Sequence, residues 1–212
     1  MHLREDIKEF LTSIPKDVTL VAATKYVTPK EMRDLYNANI VNFGENRVEA
    51  FLEKYESLKD INPTWHFIGH LQRNKAKKVI NKIDYLHSLD SIDLAKMIQN
   101  ERTTPLKCFI EVSINLEETK NGVPFMDIDK FIEEVLPLDK VNIVGFMMMA
   151  VKGDSSDDIK NQFMKLKELK DKVEDKYKIH LPYLSMGMSD DYKEAIMASS
   201  THIRLGRILW KD

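Results

Sequence analysis

Short runs rich in Val, Ile and Phe recur along the chain, separated by charged stretches whose apolar residues return every three or four positions. The runs read as eight strands: Val18 to Lys25, Ile40 to Asn46, Thr64 to His70, Tyr85 to Leu89, Lys107 to Asn115, Val141 to Ala150, Tyr183 to Ser189 and Ile203 to Trp210. The intervening stretches read as helices over Pro29 to Ala38, Arg47 to Leu58, Arg73 to Ile83, Ile92 to Glu101, Asp127 to Leu136, Asp157 to Tyr177 and Asp190 to Ser199. In the sixth of these, Ile159, Phe163, Leu166 and Leu169 share one face while Lys160, Lys165, Lys167 and Lys172 occupy much of the rest. A further helix, Leu3 to Leu11, precedes the first strand.

Strict alternation of strand and helix implies parallel strands joined by right-handed crossovers, as in an open doubly wound sheet or a closed (β/α)8 barrel. A doubly wound nucleotide-binding sheet would carry a glycine-rich turn after an early strand. Here the turn after Lys25 reads Tyr26-Val-Thr-Pro-Lys30, without glycine. The expectation is therefore an α/β fold, a single TIM-type (β/α)8 barrel with an extra N-terminal helix. At 212 residues the chain is short for that fold, so residues 1–212 are expected to form one domain with little decoration.

Composition narrows the partners. The 32 basic and 34 acidic residues leave a net charge of −2, which argues against nucleic acid or an anionic membrane as the default ligand. The single cysteine, Cys108, lies in the apolar run Lys107-Cys-Phe-Ile-Glu-Val112 and reads as buried, in keeping with a reducing cytoplasm. No segment approaches the roughly 20 apolar residues that cross a bilayer, and the first residues, Met1-His-Leu-Arg-Glu-Asp6, are charged where a signal peptide is apolar. A soluble, cytoplasmic monomer is expected.

In such a barrel the functional face lies at the C-terminal ends of the strands. Lys25 closes the first apolar run at the point where the chain turns. A desolvated amine there is a Schiff-base nucleophile for an aldehyde; taken alone, it is more simply a lysine closing a strand. The loops after the last two strands form the usual phosphate site of the architecture. Ser189 precedes a helix whose N-terminus would face an anion, Ser185 stands four residues earlier, and Gly206 lets the backbone of Gly206 and Arg207 approach a phosphate. Each has a plain structural reading, a helix cap or a strand glycine. Together with Lys25 they suggest a phosphorylated aldehyde.

The segments Val21-Ala-Ala-Thr-Lys25, Phe43-Gly-Glu-Asn-Arg-Val-Glu49, Trp65-His-Phe-Ile-Gly-His-Leu-Gln-Arg-Asn-Lys75, Leu184-Ser-Met-Gly-Met-Ser-Asp190 and Ile203-Arg-Leu-Gly206 resemble, in the same order, the pyridoxal-phosphate homeostasis family. That family is similar in fold to the barrel domain of alanine racemase. The resemblance implies that Lys25 holds pyridoxal 5'-phosphate (PLP) as a Schiff base and that Ser189 and the backbone of Gly206 and Arg207 hold its phosphate. Arg204 would face the pyridine nitrogen, Asn46 would lie beside the ring, and Ser185 and His66 would line the mouth less directly. Arg207 stands where the family usually has a small hydroxylated residue, and Leu209-Trp-Lys211 replaces the usual final Ile-Phe-Gly.

A cation at the pyridine nitrogen disfavours its protonation and so weakens the ring as an electron sink. Racemisation also needs an acid/base group opposite the lysine, which the related racemase takes from another domain of its partner subunit. The resemblance thus implies a PLP carrier that serves homeostasis or delivery to apo-enzymes without efficient catalysis; the alternatives are a weak racemase or decarboxylase, or a barrel for another phosphorylated metabolite. His66 and His70, four apart, would share a side of their strand without the further ligands that zinc requires, so no metal is expected. Arg73, Lys75, Lys77 and Lys78 read as a solvated basic face, Met147 to Met149 as adaptable packing, and Glu117 to Gly122 as a loop over the mouth.

Overall fold

The structure is a computed structural model that describes residues 1–113, 121–151 and 153–211. After α1 (Ile7–Ser13) come β1 (Thr19–Ala23), α2 (Pro29–Asn37), β2 (Asn42–Glu45), α3 (Val48–Ser57), β3 (Thr64–Phe67), α4 (Arg73–Ala76) and β4 (Tyr85–Leu89). There follow α5 (Ile92–Glu101), β5 (Leu106–Ser113), β6 (Val123–Pro124), α6 (Ile128–Val135), β7 (Val141–Met147), α7 (Ser156–Tyr177), β8 (Tyr183–Ser185), α8 (Tyr192–Met197) and β9 (His202–Leu205). The strands pair in parallel in the order β4-β3-β2-β1-β9-β8-β7-β5, and a β4–β5 pairing closes the ring. The two-residue β6 pairs with the end of β5 outside that ring. The expected eight-stranded (β/α)8 barrel with its leading helix is therefore present.

Local signals start the longer helices. Thr28 accepts from the Glu31 backbone while Glu31 returns the bond to the Thr28 backbone, with Pro29 in the first turn. Ser91 and Ser155 cap α5 and α7 by accepting from Leu94 and Asp158. The helices lay Met32, Leu35, Phe51, Leu94, Ile98 and Phe163 into the main core around the sheet. Inside the ring the packing is of another kind. His66, Tyr85, His87, Phe109, Tyr183 and His202 meet ring to ring, with centroids between 4.4 and 6.4 Å apart in the pairs that touch. Barrel interiors are usually filled by branched aliphatic residues; here aromatic rings, three of them imidazoles, take their place.

Several elements are shorter than the apolar pattern predicts. The helix expected to Ile83 ends at Ala76. The β-branched Val79, Ile80 and Ile83 then turn inward to become buried, and the Arg102 guanidinium takes the carbonyls of Ile80 and Ile83. The helix expected from Asp190 begins at Tyr192, because the Asp191 carboxylate accepts from the Met188 N–H at 2.5 Å and holds the chain in a turn first. Gly187 makes that turn possible: its φ is +97°, and a Cβ there would stand 2.6 Å from the Ala195 Cβ. The last strand ends at Leu205, not Trp210. Leu209 leaves the sheet to enter the core, Trp210 bridges Leu3, and the Lys211 N–H donates to the His2 carbonyl at 2.9 Å. The chain ends thus close over one another beside the barrel mouth. Among the described residues no helix is long and apolar enough to cross a membrane.

Candidate functional site

A cavity of about 440 Å³ opens at the C-terminal ends of β1 and β9, within the size range of small-molecule sites. Lys25, Ser189, Arg204, Gly206 and Arg207 all contribute to its wall.

Lys25 stands in the turn two residues beyond β1. That turn is anchored from below. The Thr24 hydroxyl donates to the Gly44 carbonyl at 3.1 Å, and the Thr24 carbonyl accepts from Lys54 Nζ at 2.6 Å. Lys54 is also paired with Glu45 in a buried ion pair, and Glu45 accepts from the Asn46 N–H at 2.9 Å. One lysine on α3 therefore ties the ends of β1 and β2 together. The Lys25 amine itself is exposed and lies 4.8 Å from the centroid of the Tyr26 ring, a cation–π contact. The desolvated amine anticipated from the sequence is not present, because the turn carries Lys25 past the apolar strand to the rim of the cavity.

Arg204 is buried on β9. It donates from one terminal nitrogen to the Ser185 carbonyl at 2.9 Å and the Ser185 hydroxyl at 2.6 Å, and from the other to the Met148 carbonyl at 3.1 Å. A guanidinium has five N–H donors, so two have no protein acceptor among the described residues. Burial lowers its pKa to about 10, with the Glu111 and Asp191 carboxylates pulling the other way, so it stays cationic at neutral pH.

Immediately beyond β9, the Ser189 hydroxyl oxygen accepts from the Gly206 N–H at 3.3 Å. A Cβ on Gly206 would meet only Ala23, at 3.7 Å, so internal packing does not require the glycine and the space before it belongs to the cavity. Arg207 pairs with Asp190 at 2.8 Å on the surface. The helix N-terminus expected behind Ser189 is absent from that position: α8 starts later, behind the carboxylate of Asp191.

Asn46, His66 and Ser185 are not on the cavity wall. Asn46 Oδ1 is the one buried side-chain polar atom without a partner among the described residues. Ser185 stands under Arg204. His66 is buried inside the ring, stacked parallel on Tyr85 with centroids 4.6 Å apart, instead of at the mouth, because its side chain points into the barrel among residues that begin their strands. His70, expected beside it, lies beyond the end of β3 and bonds Asp90 at 2.8 Å. The loop expected over the mouth falls largely on residues 117–120, outside the described residues. Arg73, Lys75 and Lys77 pair at the surface with Asp93, Glu49 and Glu101. Met147 and Met148 are buried, whereas Met149 is exposed.

Sequence reasoning assigns no role to Lys54 or Glu45, and His87 reads only as structural or solvated; the last of these belongs to the barrel interior. That place was detectable, since Tyr85 and His87 stand two apart and so share one face of β4. Lys54 and Glu45 meet only through the fold.

Fold and mouth together define a parallel (β/α)8 barrel with a lysine and a buried arginine on one cavity. Residues 2–212 match the family described as alanine racemase, N-terminal domain. Two curated relatives bear the name pyridoxal phosphate homeostasis protein: one from Aquifex aeolicus is 40% identical over 196 residues, covering 91% of this chain and 86% of its own length. The other, from Synechocystis, is 36% identical over 210 residues, covering 96% of this chain and 95% of its own. Among solved structures, PipY of Synechococcus elongatus with PLP bound superposes with a TM-score of 0.90 at 29% identity, covering 98% of this chain and 99% of that one. The chain belongs to the pyridoxal phosphate homeostasis proteins of the alanine racemase N-terminal domain family.

Proposed function

We propose that this protein binds PLP reversibly through Lys25 and serves cytoplasmic PLP homeostasis or delivery to apo-enzymes as a monomer, without efficient turnover. The observation that carries the reading is the placing of the Lys25 amine, the buried Arg204 cation and the open backbone of Gly206 on one cavity. The residues suit the cofactor. Arg204 has two unspent N–H donors for the ring nitrogen, the Ser189 hydroxyl keeps its own proton to donate to a phosphate, and the Asn46 oxygen lacks a partner. The Gly206 and Arg207 backbone would hold the phosphate, while the Arg207 side chain is engaged with Asp190. His66 and Ser185 support the site from within the barrel.

Bound PLP supplies an aldehyde for a lysine amine and a ring able to accept electrons. Arg204 limits the second property. Held by three hydrogen bonds and cationic at neutral pH, it opposes placing a second positive charge on the neighbouring nitrogen. The arrangement thus retains the cofactor while restraining its chemistry, and the homeostasis name of the relatives agrees with it.

The test is to load the protein with PLP, reduce with borohydride and map the modified lysine. Modification at Lys25, absent in Lys25→Ala, is expected; modification elsewhere removes Lys25 from the role. Incubation with a panel of amino acids then distinguishes a carrier from a weak racemase or decarboxylase. Turnover above that of free PLP would overturn the carrier reading.

A further inference from the structure

A continuous line of hydrogen bonds runs beneath Arg204 through the interior of the barrel. Arg204 donates to the Ser185 hydroxyl oxygen at 2.6 Å, and that oxygen lies 2.8 Å from His87 Nδ1. His87 Nε2 lies 2.9 Å from His66 Nδ1, and His66 Nε2 lies 3.1 Å from Asn42 Oδ1 at the start of β2. Ser185, His87 and His66 are fully buried.

The direction of this line follows from what each group can do. A guanidinium only donates, so the Ser185 oxygen must accept from it, and the hydroxyl proton has one remaining partner, His87 Nδ1. His87 therefore accepts at Nδ1 and, when neutral, carries its proton on Nε2. It donates to His66 Nδ1, which leaves the His66 proton on Nε2, aimed at the Asn42 oxygen. The reverse direction would turn His87 Nδ1–H onto a serine oxygen already occupied by Arg204 and would strand a buried hydroxyl proton. Burial keeps both imidazoles neutral: each is held well below the ordinary histidine value, with the nearby cations Lys107 and Arg204 acting in the same sense.

We infer that His87 and His66, both neutral with the proton on Nε2, are positioning residues that orient Arg204 through Ser185, so that the cation at the cavity is aligned from the opposite end of the barrel. The consequence for PLP rests on the proposed function; the protonation pattern does not. By donating to His87, Ser185 becomes a better acceptor for Arg204, and the guanidinium plane is fixed in one orientation.

The protonation pattern is tested first, without PLP, by nitrogen-15 NMR of histidine-labelled wild-type protein at pH 7. Protonated Nε2 and unprotonated Nδ1 on both His66 and His87 are expected; a protonated Nδ1 on either overturns the inference. PLP-loaded protein, with the adduct verified at Lys25 by borohydride mapping, supplies the second arm. In His87→Phe and in Ser185→Ala, about tenfold faster PLP loss is expected, as for loss of one bond to a charged group, together with a shifted pH of the visible absorbance transition. Ser185→Thr, which keeps the hydroxyl, restores both properties. Folded His87→Phe with wild-type release and an unmoved transition overturns the positioning role. Failure of wild-type protein to load at Lys25 overturns the proposed function instead, and the NMR result stands apart from it.

Discussion

Lys54 Nζ, on α3, reaches under the barrel mouth to the carbonyl of Thr24, 2.6 Å away, and so holds the peptide immediately before Lys25. The same ammonium is paired with Glu45, whose side chain is fully buried.

Because the pair is buried, removing one member leaves the other charge uncompensated. Lys54→Met is expected to destabilise the fold by about 3–5 kcal/mol, and Lys54→Met with Glu45→Gln by clearly less. Urea denaturation of both variants measures this. Equal losses would mean that the charge pairing contributes nothing beyond packing.

Acid should destabilise the protein well before its exposed carboxylates titrate. Burial holds His66 and His87 well below the ordinary histidine value and His202 at about 4. The rings around them come from β3, β4, β5, β8 and β9, with the Lys107 and Arg204 cations adding to the effect. The unfolded chain protonates all three below about pH 6.5, so their contribution is complete above that pH and is lost as the pH falls. Glu111 acts oppositely: burial and the nearby Asp90 raise it to about 7, so its contribution is complete below the unfolded value and is lost as the pH rises through 7. Three histidines against Glu111 and Asp191, the two carboxyls that burial raises, leave a net loss of stability between pH 6 and 5. Urea midpoints at pH 7, 6 and 5 test the sign, and an unchanged or higher midpoint at pH 5 contradicts it.

Arg207 and Asp190 are both largely exposed, at 81% and 80% of their side chains. Arg207→Ala is therefore expected to change stability by less than about 1 kcal/mol and, with the phosphate held by backbone N–H groups, to leave PLP retention within about twofold. A large drop in retention at unchanged stability would place the guanidinium on the phosphate.

The apolar rhythm of the chain was enough to read the barrel. Strand residues such as Val21, Phe43, Phe67 and Leu86 are buried as their runs require, and capping signals such as Thr28-Pro29 mark helix starts locally. Element ends were less legible. The early stop of α4 depends on Arg102 arriving from a later helix end, and the late start of α8 depends on Gly187 packing against Ala195. Both contacts join residues that local periodicity cannot connect.

The same division runs through the site. Sequence by itself determined which groups are available: Lys25 at a turn, Ser189 and Gly206 near the closing strands, and the motifs that mark the family. Tertiary structure alone decided how they are disposed. It left Lys25 exposed at the rim, turned the Arg207 side chain onto Asp190, and sank His66 into the barrel on a line to Arg204. The reason is geometric. Closing eight parallel strands sets Asn42, His66, His87, Ser185 and Arg204, far apart in sequence, within hydrogen-bond reach in a water-excluded interior. There a buried imidazole or hydroxyl is costly without a partner, a constraint that exists only once the ring has closed.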